Sequence, residues 1–76
     1  MPRQYSAREV IRVLERLGWR VTRQTGSHVI MTMEGQPGLV TVPLSRRELD
    51  RGTFANILRQ ARMSRREFVS TADEVL

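Results

Sequence analysis

The sequence predicts a small α+β domain in which a three-stranded antiparallel sheet is packed on one face by helices. Three observations support this fold class: a helix with a capping signal opens the chain, turn residues separate three strand-like segments, and helical segments follow them. The predicted order is α-β-β-β-α with a further short helix. A chain of 76 residues forms one domain with a thin core and a shallow surface site.

The first helix is predicted over residues 7 to 17. Ser6 and Glu9 have capping-box spacing, in which the Ser hydroxyl accepts from the Glu amide and the Glu side chain reaches back to the Ser amide. An apolar stripe follows at three- and four-residue spacing: Val10, Ile11, Leu14 and Leu17. Gly18 stands where a left-handed residue commonly ends a helix, and Trp19 after it is predicted as a core or sheet-edge anchor.

Three strands are predicted next. Residues 19 to 24 alternate in polarity, and the Gly26–Ser27 turn joins them to a second strand over about 28 to 34. Turn residues at 34 to 38 lead to a third strand over 39 to 43. The two hairpins form a meander.

Alternation along the second strand predicts which side chains reach the core. Val29, Met31 and Met33 fall on one side, where Met is more often an adaptable core filler than a functional residue. His28 and Ile30 then lie on the open face, which makes Ile30 a candidate for a partner surface or a weak homodimer.

Two helices are predicted after the sheet. Residues 44 to 52 are interpreted as a loop with one helical turn, and Thr53 as the N-cap of the next helix. A second capping box, Ser64 with Glu67, starts a short terminal helix over 64 to 76. Its end from Thr71 is expected to fray, and residues 1–5 are expected to be flexible.

Composition excludes several classes of protein. Without cysteine there is neither a disulfide framework nor a thiolate zinc site, and one histidine cannot build a histidine-rich metal site. We therefore expect no metal and no large cofactor. No apolar segment approaches the ~20 residues of a membrane span, and no secretory signal is visible, so the expected compartment is the cytosol.

The charge favours an anionic partner. The formal net charge is +5, and all 13 basic side chains are arginine, whose planar donors match phosphate bidentately. Binding to a nucleic acid, weakened by salt, is the expectation, although solvated basic faces and a bias in genomic composition are common alternatives.

The single histidine, His28, directly follows the Gly26–Ser27 turn. Because imidazole ordinarily titrates near pH ~6.5, a histidine beside a turn is an acid–base candidate. Without further context, a lone histidine at the start of a strand is more often a hydrogen-bonded structural residue.

Three segments resemble the HicA toxins: Gly18–Trp19, Gly26–Ser27–His28, and residues 37–43 followed by the pairs 48–49, 52–53 and 57–58. HicA proteins are the ribonuclease half of a bacterial toxin–antitoxin pair and have a fold like a double-stranded RNA-binding domain. The resemblance covers residues 6 to 68. It implies metal-independent cleavage of messenger RNA, catalysis by the histidine at His28, and neutralisation by a HicB-like antitoxin.

The resemblance also suggests residues that would hold RNA. Gly26 would let the substrate backbone approach the turn, and Ser27 could donate a hydrogen bond to a phosphate oxygen. Four arginines are candidate phosphate contacts: Arg20, Arg23, Arg46 and Arg47.

The sequence departs from the HicA pattern at two places. Many relatives have further histidines where this chain has Val29 and Leu44–Ser45. One histidine cannot form a two-histidine relay, so either His28 performs one role and water or another group completes the transfer, or the protein is weakly active or inactive.

Two other classes of function stay open at this point. One is a noncatalytic binder of structured RNA, but residues 52–56 at the start of the second long helix include no basic side chain, which counts against it. The other is a protein-interaction domain that recruits a partner through its sheet.

Overall fold

A computed structural model of the chain describes residues 4–44 and 47–76. Its elements are α1 (Ala7–Arg16), β1 (Arg20–Thr25), β2 (His28–Thr32), β3 (Val40–Pro43), α2 (Arg51–Ala61) and α3 (Arg65–Val75). The strands form one antiparallel sheet in the order β1-β2-β3. The predicted α+β class and element order are confirmed. Among these helices, none is long and apolar enough to cross a membrane.

The helices cover one face of the sheet. Val29 and Met31 of β2 are buried, as are Val40 and Val42 of β3. α1 contacts β1 and β3, α2 contacts β3, and α3 packs on α1. All six residues of β1 are exposed, whereas β2 and β3 each bury alternate side chains. The other side chains of β2 and β3 are exposed or half-buried, so the opposite face of the sheet is open.

The end of α1 turns the chain tightly into β1. Its N-terminal capping box is present as predicted. At the other end, the Trp19 N–H donates to the Leu14 carbonyl at 2.9 Å, which closes a Schellman-type cap around Gly18 at φ 106°. A side chain at Gly18 would also meet Met33, whose Cε lies 3.4 Å from the Cβ position. The turn places Trp19 in the core, as predicted.

The start of α2 differs from the prediction. The N-cap is Asp50 rather than Thr53, because the Asp50 carboxylate accepts the Thr53 N–H at 2.8 Å and the helix begins at Arg51. Asp is among the preferred N-cap residues. Gly52 lies in the first turn of the helix and does not prevent the helix from starting at Arg51. The end of the predicted loop over 44–52 is therefore helical from Arg51, and residues 45 and 46 of that loop lie outside the described part of the chain.

The C-terminal helix lies within the predicted range of 64 to 76 and is better held at its end than predicted. Its capping box is present, and the Ser64 N–H donating to the Glu67 carboxylate, together with the Ser64 side chain, lowers the pKa of Glu67. The expectation of fraying from Thr71 is wrong, because Ala72 is fully buried and α3 continues to Val75. Arg12 of α1 also donates to the Val75 carbonyl at 3.4 Å.

Three aromatic rings join the two ends of the chain. Tyr5, Phe54 and Phe68 lie with ring centroids 5.0–5.5 Å apart, two of the pairs edge to face. The Tyr5 carbonyl also accepts the Leu49 N–H at 2.9 Å. The expected flexibility of residues 1–5 is therefore wrong at Tyr5, which is buried; residues 1–3 lie outside the described part of the chain.

Replacing Phe68 by Ala should lower the free energy of unfolding by about 3–5 kcal/mol, because Phe68 is fully buried and contacts both other rings. Urea denaturation followed by circular dichroism measures the change. The exposed neighbour variant Glu74→Ala is the control and should change little. A loss below about 1 kcal/mol for Phe68→Ala would mean that α3 is peripheral to the core.

Candidate functional site

His28 is the first residue of the central strand and lies on the open face of the sheet. Its two strand partners are Thr25 on β1 and Pro43 on β3. The next residue, Val29, is buried beneath the helices, so His28 points to the opposite side and is exposed. The predicted orientation of β2 is confirmed, except that Met33 lies beyond the end of the strand and is only half-buried.

The turn before His28 fixes the position of the His28 backbone. Gly26 has φ 56° and Ser27 is not among the residues with a positive φ, so a glycine stands first in the two-residue turn and can adopt the backbone that a tight hairpin needs. The Ser27 carbonyl accepts the N–H of Leu44, which follows β3. The turn is thus held both by its own hairpin and by the segment on the other side of the sheet.

A β-bulge in β1 brings Arg20 and Arg23 to the face of His28. Strict alternation would separate these two arginines, but the register shifts at Thr22, so that Arg23 pairs with Ile30 and Arg20 with Thr32. Both partners lie on the open face. The Thr22 hydroxyl donates to the Ile30 carbonyl at 3.4 Å at the same place.

The open face is cationic over its described surface. Its residues, taken from the strand pairing, are Arg20, Arg23, Thr25, His28, Ile30, Thr32, Thr41 and Pro43. This set includes two arginines and no acidic side chain. The His28 ring makes no hydrogen bond or ion pair with any described residue, so both of its nitrogens are available to a ligand.

Arg47, also proposed as a phosphate contact, does not join this group. Arg47 lines a groove on the helix side of the sheet together with Ala7 and Arg8. Arg46 lies outside the described residues. In the structure, His28, Arg20 and Arg23 therefore share one face of the sheet, next to the Gly26–Ser27 turn. Arg47 lies on a different surface.

Sequence reasoning missed the neighbour Thr25. A two-residue turn forces the residues before and after it to pair, so the Gly26–Ser27 turn was sufficient to place Thr25 opposite His28. Its side chain lies on the same face as His28, on the neighbouring strand. Within the described ranges, no three His, Cys, Asp or Glu side chains lie close enough together to hold a metal ion.

Replacing Gly26 by Ala should lower the free energy of unfolding by about 1–2 kcal/mol, the cost of a left-handed L-residue. The reason is conformational only, because a Cβ at Gly26 would meet no atom within 4 Å. Thermal unfolding measures the effect, with Ser27→Ala as the matched control in the same turn. Equal stability of the two variants would contradict the assigned turn geometry.

Comparison with known proteins gives one family. Residues 7–63 match the model of the family described as "HicA toxin of bacterial toxin-antitoxin". This segment contains α1, the whole sheet and α2, and with them the turn, His28 and both arginines of the open face. No curated protein gives a significant match. The chain belongs to the HicA toxin family, the toxin half of a pair whose other member is an antitoxin.

Proposed function

We propose that this toxin is an endoribonuclease that cleaves messenger RNA in the cytosol without a metal ion, with His28 as its acid–base residue. The observation that carries the proposal is the exposed His28 on the central strand, with Arg20 and Arg23 on the same face. Membership of a toxin family supplies the biological context.

The chemistry needs one positioned general base and no external nucleophile, because the ribose 2′-hydroxyl of RNA is itself the nucleophile. Neutral His28 takes the proton of the ribose 2′-hydroxyl as the 2′ oxygen attacks phosphorus. The bond from phosphorus to the 5′ oxygen breaks, and water supplies the proton that the leaving oxygen takes up. The products are a 2′,3′-cyclic phosphate and a 5′-hydroxyl. A positioned general base contributes a factor of about 10²–10⁴ in rate, which fits a modest nuclease.

The two arginines lie at different distances from His28. Arg23 pairs with Ile30, two residues from His28, and such diagonal neighbours are roughly 7–8 Å apart at the backbone. A guanidinium on a long stem spans that gap and can bind the oxygens of the phosphate under attack. Arg20 pairs with Thr32, roughly 13 Å along the strand from His28 at ~3.3 Å per residue. Arg20 therefore suits a neighbouring phosphate.

The turn provides the remaining contacts in this proposal. Ser27 is exposed directly before His28, and its hydroxyl is not engaged by any described residue, so it can donate to a phosphoryl oxygen. Gly26, the other residue of the hairpin tip, has no side chain that would obstruct the RNA. Thr25, opposite His28, adds a second hydroxyl donor.

His28→Ala should reduce RNA cleavage in a chelator by at least ~10²-fold, because the general base is lost. The melting temperature should hardly change, since the side chain is exposed. Purified protein is incubated with a messenger RNA in EDTA, and the cut ends are tested for a 5′-hydroxyl. Thr32→Ala, on the same strand and face, is the matched control and should cleave normally. Undiminished cleavage by His28→Ala would refute the catalytic role, and a large fall in melting temperature would make His28 structural.

The antitoxin should cover the His28 face and present acidic side chains to Arg20 and Arg23. Arg23→Glu should therefore weaken the toxin–antitoxin complex by roughly tenfold or more, because it places like charges opposite each other. Arg66→Glu makes the same charge reversal on α3, away from the sheet, and should have little effect on the affinity. Isothermal titration with the antitoxin measures both. An interface confined to α2 and α3 would contradict this arrangement.

A further inference from the structure

A groove on the helix side of the sheet lies beside the tip of the β1–β2 hairpin. Its volume is about 710 Å³, and it is bounded by the first turns of α1, the end of β1 and the segment after β3. Buried Ala7 and Val29 and half-buried Ile11 and Leu44 form its apolar surface. We call it the α1–hairpin groove. Neither the family match nor the open-face site accounts for it.

Three arginines surround the apolar surface of this groove. Arg8 and Arg47 are exposed, and neither forms a hydrogen bond or an ion pair with another described residue. Arg12 uses one N–H for the Val75 carbonyl and has others available. No acidic residue is among those that line the groove in the described part of the chain. The groove therefore combines unneutralised positive charge with a surface that favours a flat apolar group.

The groove and His28 share one end of the sheet. Gln24, which lines the groove, pairs with Val29, and the next pair along the hairpin is Thr25 with His28. Since adjacent pairs point to opposite faces, the groove opens on one side of the hairpin and His28 on the other. Between them lies the exposed Gly26–Ser27 tip.

We propose that the α1–hairpin groove binds an unpaired nucleotide that flanks the scissile bond of the RNA. The base lies on the apolar surface, its phosphate contacts Arg8 and Arg47, and the RNA strand bends over the hairpin tip to reach His28. The link to cleavage rests on the proposed ribonuclease function. RNA binding by the groove does not depend on the chemistry at His28.

A nucleotide fits the lining of the groove better than an acidic peptide does. An acidic peptide would need a second, apolar side chain in the right register to cover the apolar surface, whereas one nucleotide offers a flat base and a phosphate together. Gln24 adds an amide that can both donate to and accept from the edge of a base. The groove therefore also selects among bases next to the cut.

The binding test uses His28→Ala protein, so that a labelled single-stranded RNA of mixed sequence stays intact if His28 is the catalyst. In this background, Arg8→Gln with Arg47→Gln should raise the Kd at least ~10-fold and reduce the salt slope by about 0.7, the value for one phosphate no longer neutralised on a single strand. Arg59→Gln with Arg66→Gln removes equal charge from α2 and α3 and is the matched control. Equal weakening by the two pairs would overturn the proposal.

Base selection is tested separately with oligoadenylate, oligocytidylate and oligouridylate in the same background. The protein should prefer one of them by at least roughly fivefold, and Gln24→Ala should remove that preference. Unchanged ratios in Gln24→Ala would overturn the reading of bases by the groove. Normal RNA affinity with lost antitoxin affinity in the Arg8/Arg47 variant would make the groove a protein interface and would also overturn the proposal.

The outcomes separate this proposal from the ribonuclease function. If His28→Ala cleaves as fast as the unmodified protein, the catalytic role fails. The affinities of the arginine and Gln24 variants are then compared on a DNA strand of the same sequence, which is not cleaved because it lacks the 2′-hydroxyl. If His28→Ala is inactive while the groove variants bind RNA normally, the catalytic role stands and the groove proposal fails.

Discussion

The burial of alternate β2 side chains beneath the helices is the constraint on which the candidate site depends. Val29 and Met31 are 4% and 0% exposed, and full burial of such side chains contributes about 1.5–3 kcal/mol each. A register slip by one residue would expose both and bury His28 in their place. The exposure of the histidine is thus enforced by its neighbours, and the two-residue turn that precedes it admits only one pairing of β1 with β2.

Most of the fold was predictable because its signals are local. Both capping boxes, the glycine that ends α1 and the alternation of β2 each occupy a few consecutive residues, and the structure confirms them. The start of α2 was misplaced by a local cap, whereas the two errors at the chain ends arose where a distant contact decides the outcome. Tyr5 is ordered by rings far along the chain, and the last turns of α3 are held by packing on α1 through Ala72. Propensity at the chain ends carries no information about such contacts.

The candidate site was predictable in its centre and not in its surroundings. His28 stands out in the sequence because it is the one histidine and follows a tight turn. The grouping of Arg20 with Arg23 depends on the single extra residue of the β-bulge, Thr22, which the sequence does not indicate. Arg47 shows the converse case. It is close to β3 in sequence, yet it lines the groove on the helix side of the sheet. Distance along the chain was a poor guide to which surface a cation would occupy.

The open edge of the sheet has a consequence for the free toxin. The Thr41 N–H of β3 is occupied by the Gln60 side chain at 3.0 Å, whereas β1 is exposed along all six residues and has a neighbour on one side only. Unprotected edges of this kind template aggregation between identical chains. Here the bulge twists the edge, and two copies meeting through it would bring four guanidinium groups together. Self-association through β1 is thereby disfavoured, because the arginines that make the open face cationic would lie opposite like charges.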